Sequence, residues 1–73
     1  MFNKQELSEK IGKRIKQIRK EKGISQSELG WLCQKDKQHI ELIENNKVSP
    51  NVYTLYQIAC ALEIELSFLL KID

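Results

Sequence analysis

The chain has 73 residues, 41% hydrophobic and 30% charged, with two Cys, one His, one Pro and a net charge of +2. That length suits a single domain, residues 1–73, whose small core buries about 60% of the unfolded surface and leaves little room for a catalytic pocket. No apolar run nears the roughly 18 residues of a membrane span, no secretory leader is visible, and two Cys with one His are too few for a disulfide scaffold or a metal-ligand set. A cytoplasmic chain without metal or cofactor is expected.

Five helical segments follow one another, and nothing reads as a strand. The first covers about residues 5–22, with Leu7, Ile11, Ile15 and Ile18 at steps of four and three on one face. Gly23 ends it, behind Lys20 and Lys22 in the last turn, where cations suit the helix dipole. The second begins at Ser25, where Ser25-Gln26-Ser27-Glu28 reads as a capping box, and Leu29, Leu32 and Cys33 supply its apolar positions. Residues 34–35 leave a very tight connection. The third starts at Asp36, turns Ile40 and Ile43 inward and stops at Asn45-Asn46, because Asn tolerates the left-handed conformation. The fourth runs from a cap at Asn51, behind Pro50, to about residue 62, burying Leu55, Ile58, Ala59 and Leu62. A last short helix at about 65–70 carries Leu66, Leu69 and Leu70, with Lys71, Ile72 and Asp73 as a frayed end. The expected fold class is all-α, a compact bundle of five short helices.

Charge is uneven along this series. Residues 1–22 hold Lys4, Lys10, Lys13, Arg14, Lys16, Arg19, Lys20 and Lys22 against Glu6, Glu9 and Glu21, a local balance of +5. Residues 48–73 set Lys71 against Glu63, Glu65 and Asp73, a balance of −2. A basic front half points to an anionic partner, although a solvated helix face gives the same arithmetic.

Two short helices joined by a three- or four-residue turn can place the second helix in a DNA major groove, and Ser25 to Glu44 fits that frame. The residues around it are specific. Arg19-x-x-x-Gly23-Ile24-Ser25-Gln26, then Ile40-x-x-Ile43-Glu44, then Pro50, then Ala61-Leu62-x-Ile64-x-Leu66 follow without a gap. Over about residues 11–70, with the motif at 25–44, the chain resembles the phage-repressor and Cro-like, XRE-type helix-turn-helix family. The resemblance implies a lambda-repressor-like domain and a sequence-specific DNA-binding transcriptional regulator, a repressor or autoregulator without catalytic residues. It also implies that the whole chain is the DNA-binding domain, similar to short regulators of phages, restriction–modification systems and antitoxin pairs.

Residue roles follow from the same resemblance. Lys37, Gln38, Glu41 and Leu42 match positions that read base edges. Lys37 can donate to guanine, Gln38 can pair with adenine, and Leu42 can meet a thymine methyl. Glu41 either accepts from cytosine or orients Lys37 one turn earlier. Gln26 matches a position that contacts a phosphate and supports the recognition helix; Lys35, His39, Asn45, Lys47 and Asn51 match backbone-contacting positions or lie beside them, and Tyr53 near the start of the fourth helix is a further candidate. Arg19 and Glu44 match a partly buried salt bridge whose role is positional.

The sequence departs from the family at Gly30, where Ala is frequent, at Gln34-Lys35, where Gly and an apolar residue are usual, and at Asn46, usually Gly. Cys33 and Cys60 are expected as buried free thiols, and Tyr53 and Tyr56 as packed along the fourth helix. Trp31 is either covered by the segment around Phe2 or part of a partner surface. One recognition helix contacts little DNA, so a homodimer on a palindromic operator is expected, joined through Phe68, Leu69 and Ile72 beside Leu70. The rival reading is a protein-interaction module, in which Trp31 and the apolar tail bind another protein.

Overall fold

The computed structural model describes residues 1–73 and is all-helical: α1 (Lys4–Glu21), α2 (Gln26–Leu32), α3 (Lys37–Glu44), α4 (Val52–Ala61) and α5 (Leu66–Leu69). Polar caps set the starts. At α1, the Glu6 N–H donates to Asn3 Oδ1 at 2.8 Å and the Asn3 N–H donates to Glu6 Oε1 at 3.0 Å, a complete capping box. At α2, Ser25 accepts from the Glu28 N–H at 3.0 Å, and the return bond of the expected box does not form. Asp36 caps α3 through the His39 N–H at 2.7 Å, and Asn51 caps α4 through the Thr54 N–H at 2.8 Å.

The helix ends share one device. Each of α1 to α4 is followed by a left-handed residue: Gly23, Gln34, Asn46 and Glu63, with φ of 70°, 61°, 60° and 57°. The next N–H then reaches back to the carbonyl five residues earlier: Ile24 to Arg19, Lys35 to Gly30, Lys47 to Leu42 and Ile64 to Ala59. Glycine fills this position without steric penalty, and asparagine tolerates it; Gln34 and Glu63 are held there against their preference. Gln34→Gly is therefore expected to stabilise the domain by up to about 1 kcal/mol, the relieved strain outweighing the added freedom of the unfolded chain. Thermal unfolding should show a rise of roughly 4–8 °C per kcal/mol for a domain of this size, and an unchanged or lower midpoint would refute the account.

The core is one cluster. Ile11, Ile15 and Ile18 of α1 meet Leu29 of α2 and Cys33 just after it, Ile40 and Ile43 of α3, Leu55, Ile58 and Ala59 of α4, then Leu62 and Leu69. Two glycines allow the helices to approach. A Cβ on Gly12 would stand 2.6 Å from the Ile43 carbonyl oxygen, so α1 lies directly on the end of α3. A Cβ on Gly30 would stand 2.9 Å from the Lys35 carbonyl oxygen. The tight turn itself excludes the family's frequent Ala here.

Several expectations are corrected. Leu7 is exposed, because Ser8 occupies the inward position at that level and its hydroxyl bonds Ser49 Oγ at 3.2 Å. Leu32 is exposed at the end of α2. Cys60 is exposed on the outer side of α4, one position beyond buried Ala59, whereas Cys33 is buried and its thiol pKa is pushed up by burial. Tyr53 and Tyr56 stand out into solvent. Leu69, expected at a dimer contact, is wholly buried in the chain's own core. The last helix is only four residues long and needs that anchor. Arg14 adds a second tie, its Nη2 donating to the Phe68 carbonyl at 2.9 Å while its guanidinium stacks over the Phe68 ring at 4.6 Å.

Candidate nucleic-acid interface

The inner face of α3 determines what its outer face can do. Ile40 and Ile43 are buried one turn apart, and Glu44 follows them inward. The Glu44 carboxylate is completely enclosed and receives three hydrogen bonds. Arg19 Nε donates to Oε2 at 2.7 Å, Arg19 Nη2 donates to Oε1 at 3.0 Å, and Gln26 Nε2 donates to Oε1 at 3.1 Å. The third arm of the guanidinium, Nη1, donates to the Ile24 carbonyl at 2.8 Å. One guanidinium thus joins the end of α1, the α1–α2 turn and the end of α3. Its pKa is raised further, chiefly by the hydrogen bond with Glu44, so the cation persists at every working pH.

With three side chains of α3 anchored inward, the remaining ones face out. Lys37, Gln38 and Glu41 are exposed, Leu42 is half-buried beside them, and none of the three polar side chains has a hydrogen-bond partner within the protein. The Lys37–Glu41 ion pair does not form, which leaves Glu41 directed to solvent. These four residues share one face, as an α-helix requires of positions 37, 38, 41 and 42.

The candidate backbone contacts lie at the two ends of α3 and at the start of α4. Asn45, which ends α3, is exposed, as are Lys47 and Asn51. Asn51 Oδ1 is occupied as the cap of α4, so an anion there would meet the backbone N–H groups of the first turn. Lys35 and His39 are half-buried at the entry to α3. Gln26 is committed through its amide to Glu44, so it holds α3 against α2.

Trp31 has no cover. It is 78% exposed on α2, and Phe2 instead lies beneath the Lys10 ammonium, 4.9 Å from ring centroid to nitrogen. A groove between α2 and α4 is lined by Leu32, Tyr53, Tyr56, Gln57 and Cys60, and Trp31 is not part of its lining.

A family model described as "Helix-turn-helix" matches residues 15–69, the stretch from the middle of α1 through the end of α5. The chain belongs to this helix-turn-helix family. Within it, the domain is 39% identical over 62 residues to the HTH-type transcriptional regulator SinR of Bacillus licheniformis, covering 84% of this chain and 56% of that protein. SinR of Bacillus subtilis (strain 168) is 39% identical over 61 residues, 82% of this chain and 55% of its own length. The chain spans little more than half the length of these curated relatives. Among solved structures, the restriction-modification controller C.AhdI from Aeromonas hydrophila superposes with a TM-score of 0.81 at 30% identity, covering 86% of this chain and 94% of that one. The P22 c2 repressor, solved with a synthetic operator, gives a TM-score of 0.76 at 32% identity, over 86% and 96% of the two chains. The helix-turn-helix domain therefore has the lambda-repressor-like, phage-repressor and Cro-like fold.

Proposed function

We propose that this domain is a sequence-specific DNA-binding transcriptional regulator that inserts α3 into the major groove. The observation that carries the reading is the division of α3 into an inner face locked by Ile40, Ile43 and Glu44 and an outer face of unpartnered Lys37, Gln38 and Glu41. Unpartnered donors and acceptors on a rigid helix are what base edges require, since a side chain already bonded within the protein has nothing to offer them. Asn45, Lys47 and the start of α4 at Asn51 flank this face and set its register against the phosphates. The similarity to the P22 c2 repressor, solved with a synthetic operator, supports the same reading.

Regulation by repression or autoregulation, and assembly as a homodimer on a palindromic site, belong to the proposal. With Leu69 inside the core, the dimer contact rests on exposed Phe68 and Leu70 and half-buried Ile72. Light scattering at micromolar concentration should give twice the protomer mass, and a clean monomer there and on DNA would remove the dimer.

Selection from random duplexes, followed by titration at several salt concentrations, tests the main reading. Binding should weaken steeply with salt, by about 0.9 in log–log slope per phosphate contact. Gln38→Ala should relax preference at one base position, with a loss of about 1–3 kcal/mol on the selected duplex, while Lys47→Ala should weaken all duplexes alike. Enrichment of no motif would overturn the proposal. Exposed Trp31 on α2 and the groove lined by exposed Tyr53 and Tyr56 favour the second reading, a protein-interaction module, which predicts specific protein capture without any duplex preference.

A further inference from the structure

The outer face of α3 is not the only polar surface beside Lys47. Gly12 brings α1 onto the end of α3, and the Ser8–Ser49 hydrogen bond holds the α3–α4 connection against the first turns of α1. Two adjoining grooves result. One is lined by Glu9, Lys13 and Lys16 of α1 with Asn45, Asn46 and Lys47 beyond α3, and it contains no apolar residue. The other is lined by Lys4, Gln5 and Ser8 with Asn46, Lys47 and Ser49. Lys47 belongs to both.

The spacing on α1 is helical. Glu9, Lys13, Lys16 and Lys20 follow at steps of four, three and four, so they form one stripe next to the face that docks on α3. Within the first groove the local charge is positive. Glu44 is neutralised by Arg19, Glu9 pairs with Lys13 at 3.0 Å in an exposed contact, and neither Lys16 nor Lys47 has an ion-pair partner. An exposed pair of that kind is worth little and exchanges readily for a stronger anion.

We propose that Lys13 and Lys16 of α1 extend the phosphate-binding surface begun by Asn45 and Lys47, so that the DNA backbone is gripped beyond the stretch that α3 reads. This rests on the DNA-binding reading above and adds to it a flanking, sequence-independent contact. The chemistry is that of ammonium groups on flexible stems, which follow a phosphate without demanding one geometry. The effect is on affinity and its salt dependence, and base preference stays with α3.

The test compares salt-dependent binding of the full chain and three variants to one mixed-sequence duplex and to the selected duplex. K13Q/K16Q should lower the log–log salt slope by about 1.8, two phosphate contacts at about 0.9 each, on both duplexes and with the same selected motif. K13R/K16R should keep the parent slope. K10Q/K71Q removes the same charge from the α5 side of α1 and should also leave the slope near the parent value. An unchanged slope in K13Q/K16Q overturns the proposal while the DNA-binding reading stands. Equal losses in K13Q/K16Q and K10Q/K71Q also overturn it, since attraction would then be diffuse. If the parent binds neither duplex, the DNA-binding reading fails and this proposal falls with it.

Discussion

Glu44→Ala is expected to destabilise the domain by about 3–5 kcal/mol, the range found when one member of a buried ion pair is removed. The reason lies in what remains. Arg19 is left with a side chain only 9% exposed, a charge that cannot be discharged, and a single surviving hydrogen bond to the Ile24 carbonyl. Gln26 loses its acceptor at the same time. Domains of ordinary stability have only about 5–15 kcal/mol in total, and one this small belongs near the lower end, so a large unfolded fraction should be present at 37 °C. Urea titration followed by circular dichroism is the measurement. Arg19→Met combined with Glu44→Leu should recover most of the loss, because an apolar pair leaves no charge unpaired. A single variant within 1 kcal/mol of the parent would show that the pair is solvated and does not position α3.

Ile40→Ala carries the second large effect. Ile40 is wholly buried at the centre of α3, where it meets the core formed by α1, α2 and α4. Deleting such a side chain costs about 2–5 kcal/mol, the transfer term plus the cavity left behind. Two positions earlier on the same helix, Gln38 is exposed, and Gln38→Ala should change stability by no more than about 0.5 kcal/mol. The contrast is the useful measurement. One substitution should lower the thermal midpoint and leave base preference intact in the folded fraction, and the other should do the reverse. Equal stability losses would mean that α3 does not present the two faces described.

Much of this was legible in the residues because it rests on local rules. The helix starts at Ser25, Asp36 and Asn51 follow from side-chain oxygens that can accept the first free N–H groups, and all three are observed. The α1 start at Asn3 carries the same signal, Asn followed three residues later by Glu, ahead of the start near residue 5 that apolar periodicity suggests. Asn46 could be anticipated as a left-handed residue, and at Gln34 the family's usual Gly marks the same conformation; Glu63 carried neither signal. The misplaced residues lie at edges and ends. Leu7, Leu32 and Cys60 sit just off their helices' buried stripes, where apolar periodicity does not say how far the neighbouring helix extends. Leu69 fails for the opposite reason. An apolar residue on a four-residue helix reads equally well as core or as contact, and only the position of α5 against α1 separates them.

The sequence alone determined an all-α fold, the caps at Ser25, Asp36 and Asn51, a basic front half and the helix-turn-helix family, since each depends on residues close together in the chain or on a gapless run of landmarks. The tertiary structure decided what those residues do to one another. Gly12 is unremarkable in sequence, yet the absence of its Cβ lets α1 rest on the carbonyls that end α3. Gln26 is held by a carboxylate 18 residues away. The net +2, almost featureless as a total, becomes a set of lysines around Lys47 only when α1 is laid against the end of α3. Contacts between distant segments are set by packing, and packing is a property of the folded chain as a whole.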